Sequence, residues 1–99
     1  MKNKQKARLN ELRHAFYNDL DEGRLANLPD TIRQMRKTTG LTQAEYAKLV
    51  QVAPRVLIDL ERGVGNPTLK TLEKIVAPFG LCVSLARKNN RLSDDSLLK

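Results

Sequence analysis

The segment from Gln43 to Arg62 contains side chains whose hydrogen-bond donors suit phosphates and nucleic-acid bases, foremost Gln43, Arg55 and Arg62. The guanidinium of Arg55 can donate two parallel hydrogen bonds, a geometry that matches O6 and N7 of guanine in the DNA major groove. The amide of Gln43 and the guanidinium of Arg62 can donate to backbone phosphates. This part of the chain therefore has the chemistry of a nucleic-acid contact, provided that the three side chains share one surface.

The sequence contains few residues that could act in catalysis. An enzyme needs a nucleophile or a base with an orienting partner, or a cluster of metal ligands. The 99 residues contain a single histidine, His14, and a single cysteine, Cys82, and no glycine loop that would cradle a phosphate. One cysteine cannot form an internal disulfide framework, and it has no second ligand to share a metal with. We expect no enzymatic activity, no cofactor and no metal.

Charge and hydropathy limit the partners further. The formal net charge is +7 and the pI is about 9.9, which suits a polyanion. No apolar run approaches the ~20 residues of a membrane span, and the N-terminus MKNKQKARL lacks the apolar region of a secretory signal. We expect a cytoplasmic protein without a membrane partner, whose small core would gain stability from a dimer.

Residues 42–63 predict two short helices joined by a turn. Thr42 and Glu45 have the spacing of a capping box, which starts the first helix. A turn at 51–53 is followed by Pro54, which suits the first turn of the second helix. The inward faces repeat at helical spacing through Tyr46, Ala47, Val50, Leu57 and Leu60. Two helices braced in this way can present the outer face of the second helix to a major groove.

Further amphipathic helices are predicted on both sides of this pair. Apolar positions recur every three or four residues in 3–22, 29–37 and 68–79. Four of the five helices predicted before residue 81 end at a glycine, namely Gly23, Gly40, Gly63 and Gly80. The N-terminal helix is left with two roles: it packs on its own domain or the dimer mate, or it is a ligand for a groove of another protein.

The periodicity changes to two after Gly80. Leu81, Val83 and Leu85 alternate with smaller residues, which predicts a short strand. A lone strand leaves its N–H and C=O groups unpaired, so its economical partner is the same strand of a second copy. The expected fold is all-α with this one added strand, in four parts: an N-terminal helix (1–24), a helix-turn-helix domain (25–80), a dimer strand (81–87) and a flexible tail (88–99).

The stretch from about Ile32 to Phe79 resembles the Xre-type helix-turn-helix proteins, which include the Cro and phage repressors. The resemblance rests on the following residues: Thr42-Gln43, Ala47, Val52, Leu57, Leu60, Glu61-Arg62-Gly63, Pro67-Thr68-Leu69, Leu72 and Ile75. It implies a four-to-five-helix domain that binds double-stranded DNA as a transcriptional regulator.

The resemblance also implies one structural ion pair. Members of the family bury an arginine late in the first helix of the domain against a glutamate near the end of the third, here Arg36 and Glu61. The alternative is two unrelated surface charges. The sequence departs from the family pattern at Gln51, where a glycine usually makes the turn, and at Tyr46, where a leucine is usual.

Contacts with bases are expected at the start of the second helix of the pair, which enters the major groove in such proteins. The outward positions there are Ala53, Pro54, Arg55, Ile58 and Asp59. Arg55 is the base-reading candidate, with a phosphate contact or a solvated charge as the alternative. Ala53 and Ile58 suit thymine methyl groups, although Ile58 is equally suited to partial burial. Asp59 would accept from a cytosine amine or orient Arg55.

Contacts with phosphates are expected at both ends of the pair. Gln43 lies at the N-terminus of the first helix, where matching positions in the family face a phosphate. Arg62, with Asn66 beyond it, is the second candidate clamp on the DNA backbone.

A narrower resemblance concerns the run TLKTLEKIVAPFGLCVSLARK, residues 68–88. It is similar to the end of HipB-type antitoxins, Xre-like dimers whose C-terminal strands pair between subunits. This implies a homodimer that represses its own operon and binds a HipA-type kinase toxin. We expect such a two-fold dimer to read an inverted repeat with half-sites ~34 Å apart. Two alternatives stay open: a stand-alone Xre-type regulator, and an adaptor that binds only protein, which Gln43, Arg55 and Arg62 on one side disfavour.

Overall fold

The computed structural model describes residues 2–25 and 27–85 of the chain. Within these residues the chain is helical. Five α-helices follow one another: α1 (Lys2–Asp21), α2 (Leu28–Lys37), α3 (Gln43–Val50), α4 (Pro54–Glu61) and α5 (Leu69–Val76), the last continued by a 3-10 turn, Ala77–Phe79. The expected helical fold is confirmed, and α3 and α4 are the two helices that residues 42–63 predicted. No helix among the described residues is long and apolar enough to span a bilayer.

Local signals at each end define α3 and α4. Thr42 Oγ1 accepts from the backbone N–H of Glu45 at 3.1 Å, and the Glu45 carboxylate accepts from the N–H of Thr42 at 2.8 Å, so both halves of the capping box are formed. The chain leaves α3 through Gln51, whose φ of 63° is left-handed. Pro54 then occupies the first turn of α4, where its missing N–H leaves no bond unmade.

The core lies where α2, α3, α4 and α5 meet. Every helix of the domain contributes apolar side chains that are almost completely buried, and α4 packs against both α2 and α3. The buried apolar residues are Phe16, Ile32, Met35, Tyr46, Ala47, Val50, Leu57, Leu60, Ile75, Val76 and Phe79. This core fixes the relative orientation of α3 and α4, which is the requirement for presenting one face of α4 to a ligand.

The N-terminal helix α1 packs on its own domain through aromatic side chains. Phe16 is buried, and its ring lies edge-on to that of Phe79, with centroids 5.7 Å apart. The hydroxyl of Tyr17 donates to the backbone carbonyl of Phe79 at 2.9 Å. Nearer the N-terminus of the helix, Leu9 contacts Gly40, where φ is +74° and an added Cβ would lie 3.2 Å from Leu9 Cδ1. One of the two roles left open for this helix, packing within its own chain, is therefore observed.

The C-terminal segment differs from the expectation. Residues 81–85, the described part of the predicted strand at 81–87, belong to no regular element. Residues 86–99 lie outside the described residues. The backbone N–H of Val83 donates to the Glu73 carboxylate at 3.2 Å, which is a side-chain bond and not a strand ladder. The physical reason is that a strand needs a neighbouring strand, and the predicted neighbour belongs to a second copy. Pairing across a dimer and the flexible tail at 88–99 stay predictions.

Candidate nucleic-acid interface

The first two turns of α4 form an exposed surface, here called the reading face. It consists of the residues predicted to lie against bases: Ala53, Pro54, Arg55, Ile58 and Asp59. Ala53, Pro54 and Arg55 are exposed, whereas Ile58 and Asp59 are half-buried. Partial burial of Ile58 leaves both of its predicted roles open.

Arg55 is the more exposed of the two charged side chains on this surface. Its side chain is 72 % exposed, and its Nη1 lies 3.7 Å from Asp59 Oδ1, one helical turn away. That distance is too long for a hydrogen bond but short enough for electrostatic attraction. Asp59 can therefore orient the Arg55 side chain by electrostatic attraction, while the guanidinium N–H groups stay available to hydrogen-bond a ligand.

Three helices converge on the carboxylate of Glu61 at the end of α4. Arg36 on α2 donates from Nε to Oε2 at 2.8 Å and from Nη2 to Oε1 at 3.0 Å. Gln43 on α3 donates from Nε2 to Oε1 at 3.1 Å. The side chains of Arg36 and Glu61 are only 14 % and 2 % exposed. The structure thus brings together the two residues of the predicted ion pair, and with them the predicted phosphate ligand Gln43.

This network fixes the start of α3 relative to α4. A buried carboxylate is tolerated only when it is paired and fully hydrogen-bonded. Glu61 accepts three bonds, and Arg36 uses Nη1 to donate to the Leu41 carbonyl at 3.0 Å. Among the described residues, no buried side-chain polar atom lacks a partner. Gln43 is therefore held at the N-terminus of α3 by groups that are themselves fully constrained.

One residue that sequence reasoning missed is Arg33, which supports the far end of α4. Its Nη2 donates to the backbone carbonyl of Glu61 at 2.6 Å, and its Nη1 donates to Asp30 Oδ1 at 2.6 Å. The hydrogen bond from Arg33, followed by the one from Asn27, holds the pKa of Asp30 below its usual value. The spacing of Asp30 and Arg33 was the only available signal, and it could not reveal a contact with a carbonyl 28 positions away.

Arg62 and Asn66 lie just beyond α4, and both are exposed. Arg62 is the C-cap residue of α4, and its backbone has helical φ and ψ angles. It lies seven residues after Arg55. Seven residues are close to two helical turns, so the two arginines lie on nearly the same side of α4, about 10 Å apart along its axis. Asn66 lines a small hollow of about 120 Å³ together with Asp59, next to the reading face.

The residues predicted to pair between two copies lie elsewhere on the chain. Leu81 is half-buried against the core, whereas Val83 and Leu85 are exposed, Leu85 fully. Cys82 is also exposed. Among the described residues, no three His, Cys, Asp or Glu side chains cluster in a way that could hold a metal ion.

Comparison with known proteins identifies the class. The family model described as helix-turn-helix matches residues 32–82, just over half of the chain and including all of α3, α4 and α5. The protein therefore belongs to the helix-turn-helix family, of the Xre type, and the broader of the two resemblances is confirmed.

Three curated relatives each match about half of the chain. The transcriptional regulator DdrOP3 of Deinococcus deserti is 36 % identical over 56 residues, which cover 57 % of this chain and 43 % of that protein. The immunity repressor of Bacillus phage phi105 is 38 % identical over 53 residues, 54 % of this chain and 37 % of that protein. An uncharacterized helix-turn-helix regulator of Archaeoglobus fulgidus is 42 % identical over 48 residues, 48 % of this chain and 69 % of that protein.

These matches cover only part of each relative, which limits the functional conclusions that apply to this chain. The chain spans less than half the length of the first two relatives. No solved structure matches the chain with comparable significance. The narrower resemblance to HipB-type antitoxins stays a prediction, because these relatives are named as transcriptional regulators and a phage repressor.

Proposed function

We propose that the protein is a sequence-specific DNA-binding transcriptional repressor that places α4 in the major groove. The observation that carries this proposal is the combination of an exposed Arg55 on α4 with a Gln43 that Glu61 and Arg36 hold in place. Membership of the helix-turn-helix family and the names of the relatives support it.

Recognition would divide into positioning and reading. The net charge of +7 favours approach to the duplex. Gln43, Arg62 and Asn66 would then bind phosphates and fix how α4 lies in the groove. Arg55 would donate to O6 and N7 of one guanine, which contributes about 1–3 kcal/mol of discrimination against the wrong base. Ala53 and Ile58 would contact thymine methyl groups beside it.

A homodimer would read two such half-sites as an inverted repeat. Leu81, Val83 and Leu85 are the proposed contact residues, paired as strands across the two-fold axis. Exposure of Val83 and Leu85 in the single chain supports this, because a second copy would remove both side chains from water. Two-fold symmetry of the protein would then be mirrored in the operator.

The finer role that we propose is that of a HipB-like antitoxin, which represses its own toxin–antitoxin operon and binds a HipA-type kinase toxin. It rests on the resemblance of residues 68–88. The alternative is a stand-alone Xre-type regulator without a toxin partner, and the names of the relatives favour that second role. A kinase-like reading frame beside the gene would favour the first.

The test of DNA recognition is fluorescence anisotropy of the purified protein with its own upstream DNA and with a scrambled duplex. Titrations at several salt concentrations separate the sequence-independent phosphate contribution from base reading. We expect preference for the native duplex by about 10³-fold or more, the low end for specific regulators. Equal and steeply salt-dependent binding to both duplexes would overturn sequence-specific repression.

The toxin partner is tested separately, by size-exclusion chromatography of the protein mixed with the product of a neighbouring kinase-like reading frame. Co-elution as one complex would support the antitoxin role. Separate elution of two folded proteins would leave the stand-alone regulator as the proposed function.

A further inference from the structure

The first turns of α1 extend beyond the body of the domain. Every residue from Lys4 to Arg8 is exposed, and Leu9, which follows them, is half-buried. This segment, Lys4–Arg8, is here called the basic turn. It carries three positive charges, on Lys4, Lys6 and Arg8, and no acidic residue. Nothing in the recognition scheme above uses it.

The direction in which the basic turn points follows from two contacts of α1. The helices α1 and α2 pack against each other, and only the short connection at 22–27 separates the end of α1 from the start of α2 along the chain. In its N-terminal half α1 contacts Gly40, just past the C-terminus of α2, through Leu9. The two helices are therefore antiparallel, and α1 runs past the corner between α2 and α3.

This corner belongs to the proposed DNA interface. Gly40 lies three residues before Gln43, and three residues span at most ~10 Å of chain. The next residue, Leu41, accepts a hydrogen bond from Arg36 through its carbonyl, so the corner is tied to the same network that holds Gln43. One helical turn, about 5 Å, separates Leu9 from the basic turn.

The inward face of α1 changes character at this point. Its packed stripe is apolar through Leu20, Phe16 and Leu9. The next two positions on that stripe, four and three residues before Leu9, are Gln5 and Lys6. Where the helix passes the corner, the side of α1 that elsewhere packs on protein therefore carries the amide of Gln5 and the ammonium group of Lys6. Such a side suits a polar, negatively charged surface and not another apolar helix.

We propose that the basic turn binds backbone phosphates of the duplex next to the half-site that α4 reads. The proposal rests on the proposed function, because it extends the same interface by one helical turn. Two observations select duplex phosphates: the charge of the turn is complementary to them, and the turn lies one helical turn from Leu9, which contacts the corner that leads into Gln43. An anionic membrane fits poorly, because the turn has no large apolar side chain to insert among lipids.

The test compares salt dependence in the full chain. The triple variant Lys4→Gln/Lys6→Gln/Arg8→Gln changes only exposed side chains, so it should fold normally, which circular dichroism and thermal melting check. The control variant Lys70→Gln/Lys74→Gln removes two exposed charges from α5, a helix outside the basic turn. Each lost phosphate contact makes the slope of log K against log salt concentration shallower by about 0.9.

We expect the slope of the triple variant to be shallower by up to about 2.7, equally on native and scrambled duplexes. The ratio of the two affinities should stay that of the wild type, because phosphates carry no base information. The proposal would be overturned if the triple variant kept the wild-type slope, or if its slope changed by no more per removed charge than the slope of the α5 control. A changed ratio of the two affinities would overturn it as well. Failure of the proposed function shows differently, as a wild-type protein without preference for its own duplex. The slope comparison still decides the role of the basic turn in that case.

Discussion

Gln43 Nε2 donates a hydrogen bond of 3.1 Å to Glu61 Oε1, and the same carboxylate is paired with Arg36. The side chain proposed to bind a phosphate is therefore oriented by the group that also joins α2 to α4. One of the two amide hydrogens of Gln43 serves this bond, which leaves the second for a ligand. Fold stability and DNA affinity are expected to be coupled at Glu61 for this reason.

The first prediction concerns the buried ion pair. Arg36→Met leaves the Glu61 carboxylate, 2 % exposed, without a counter-charge. We expect the free energy of unfolding to fall by about 3–5 kcal/mol, as is usual when one partner of a buried pair is removed. Urea denaturation at neutral pH measures it.

The matched control is the double variant Arg36→Met/Glu61→Leu, which removes both charges and keeps the volume. It should recover most of the lost stability, since apolar replacement of a buried pair is often neutral or better. If the free energy of unfolding of the single variant fell by less than about 1 kcal/mol, this pair would contribute no more than a solvated surface ion pair.

The second prediction concerns the turn between α3 and α4. Gln51 has φ 63° and ψ 46°, and it is the only residue other than glycine with positive φ among the described residues. The left-handed conformation costs an L-residue about 1–2 kcal/mol. Gln51→Gly removes this cost but makes the unfolded chain more flexible, by about 0.4–1 kcal/mol. We expect a net gain of about 0.5–1 kcal/mol, seen in thermal melting as a rise of roughly 2–8 °C.

Gln51→Ala is the control for this variant. Alanine removes the same side-chain atoms beyond Cβ but keeps the Cβ that disfavours positive φ, so no such rise is expected. If the alanine and glycine variants had the same melting temperature, the backbone conformation of Gln51 would not be the source of the change in stability.

The parts of the structure that were predictable are those set by local signals. The capping box of Thr42 and Glu45 and the position of Pro54 located α3 and α4 closely. The start of α2 was predicted slightly late, at Pro29 or Asp30. The helix begins at Leu28, because the Asn27 side chain accepts from the Asp30 N–H at 2.9 Å and caps it.

The unpredictable parts depend on distant partners. The bond from Arg33 to the Glu61 carbonyl joins residues that no local pattern relates. The contact of Leu9 with Gly40 likewise follows from how α1 folds back on α2. Alternation at 81–86 indicates which side chains share a face, but a strand also needs a neighbour, and period two contains no information about it. Reading the ion pair required the family resemblance, since 25 residues separate Arg36 from Glu61.

The third prediction concerns Tyr46, where the family usually has leucine. Its hydroxyl is buried and donates to the Ile75 carbonyl at 2.6 Å, which joins α3 to α5. Tyr46→Phe leaves that carbonyl without this donor and should lower the free energy of unfolding by about 1–3 kcal/mol. Urea denaturation near pH 7 measures the difference, and an unchanged midpoint would show that the bond adds nothing net.

The same side chain predicts a pH dependence. Burial raises the pKa of Tyr46 from its usual 10.0 to about 12. Between these two values the unfolded chain has lost the phenolic proton and the folded chain has kept it. Stability from this group is therefore complete below pH 10 and falls as the pH rises to 12, by about 1.4 kcal/mol per pH unit. The stability difference between wild type and Tyr46→Phe should shrink over that range, and a constant difference would contradict the assignment.

The final prediction separates reading from positioning on the proposed interface. Arg55→Lys keeps the charge but loses the fork that donates to two guanine atoms. We expect it to reduce discrimination at one base position per half-site by about 1–3 kcal/mol, with little change in the salt slope. Gln43→Ala should instead weaken binding to all duplexes alike, since it removes a phosphate contact. Anisotropy titrations against single-base variants of the upstream DNA measure both effects, and a uniform loss of affinity in both variants would show that α4 does not lie in the groove as proposed.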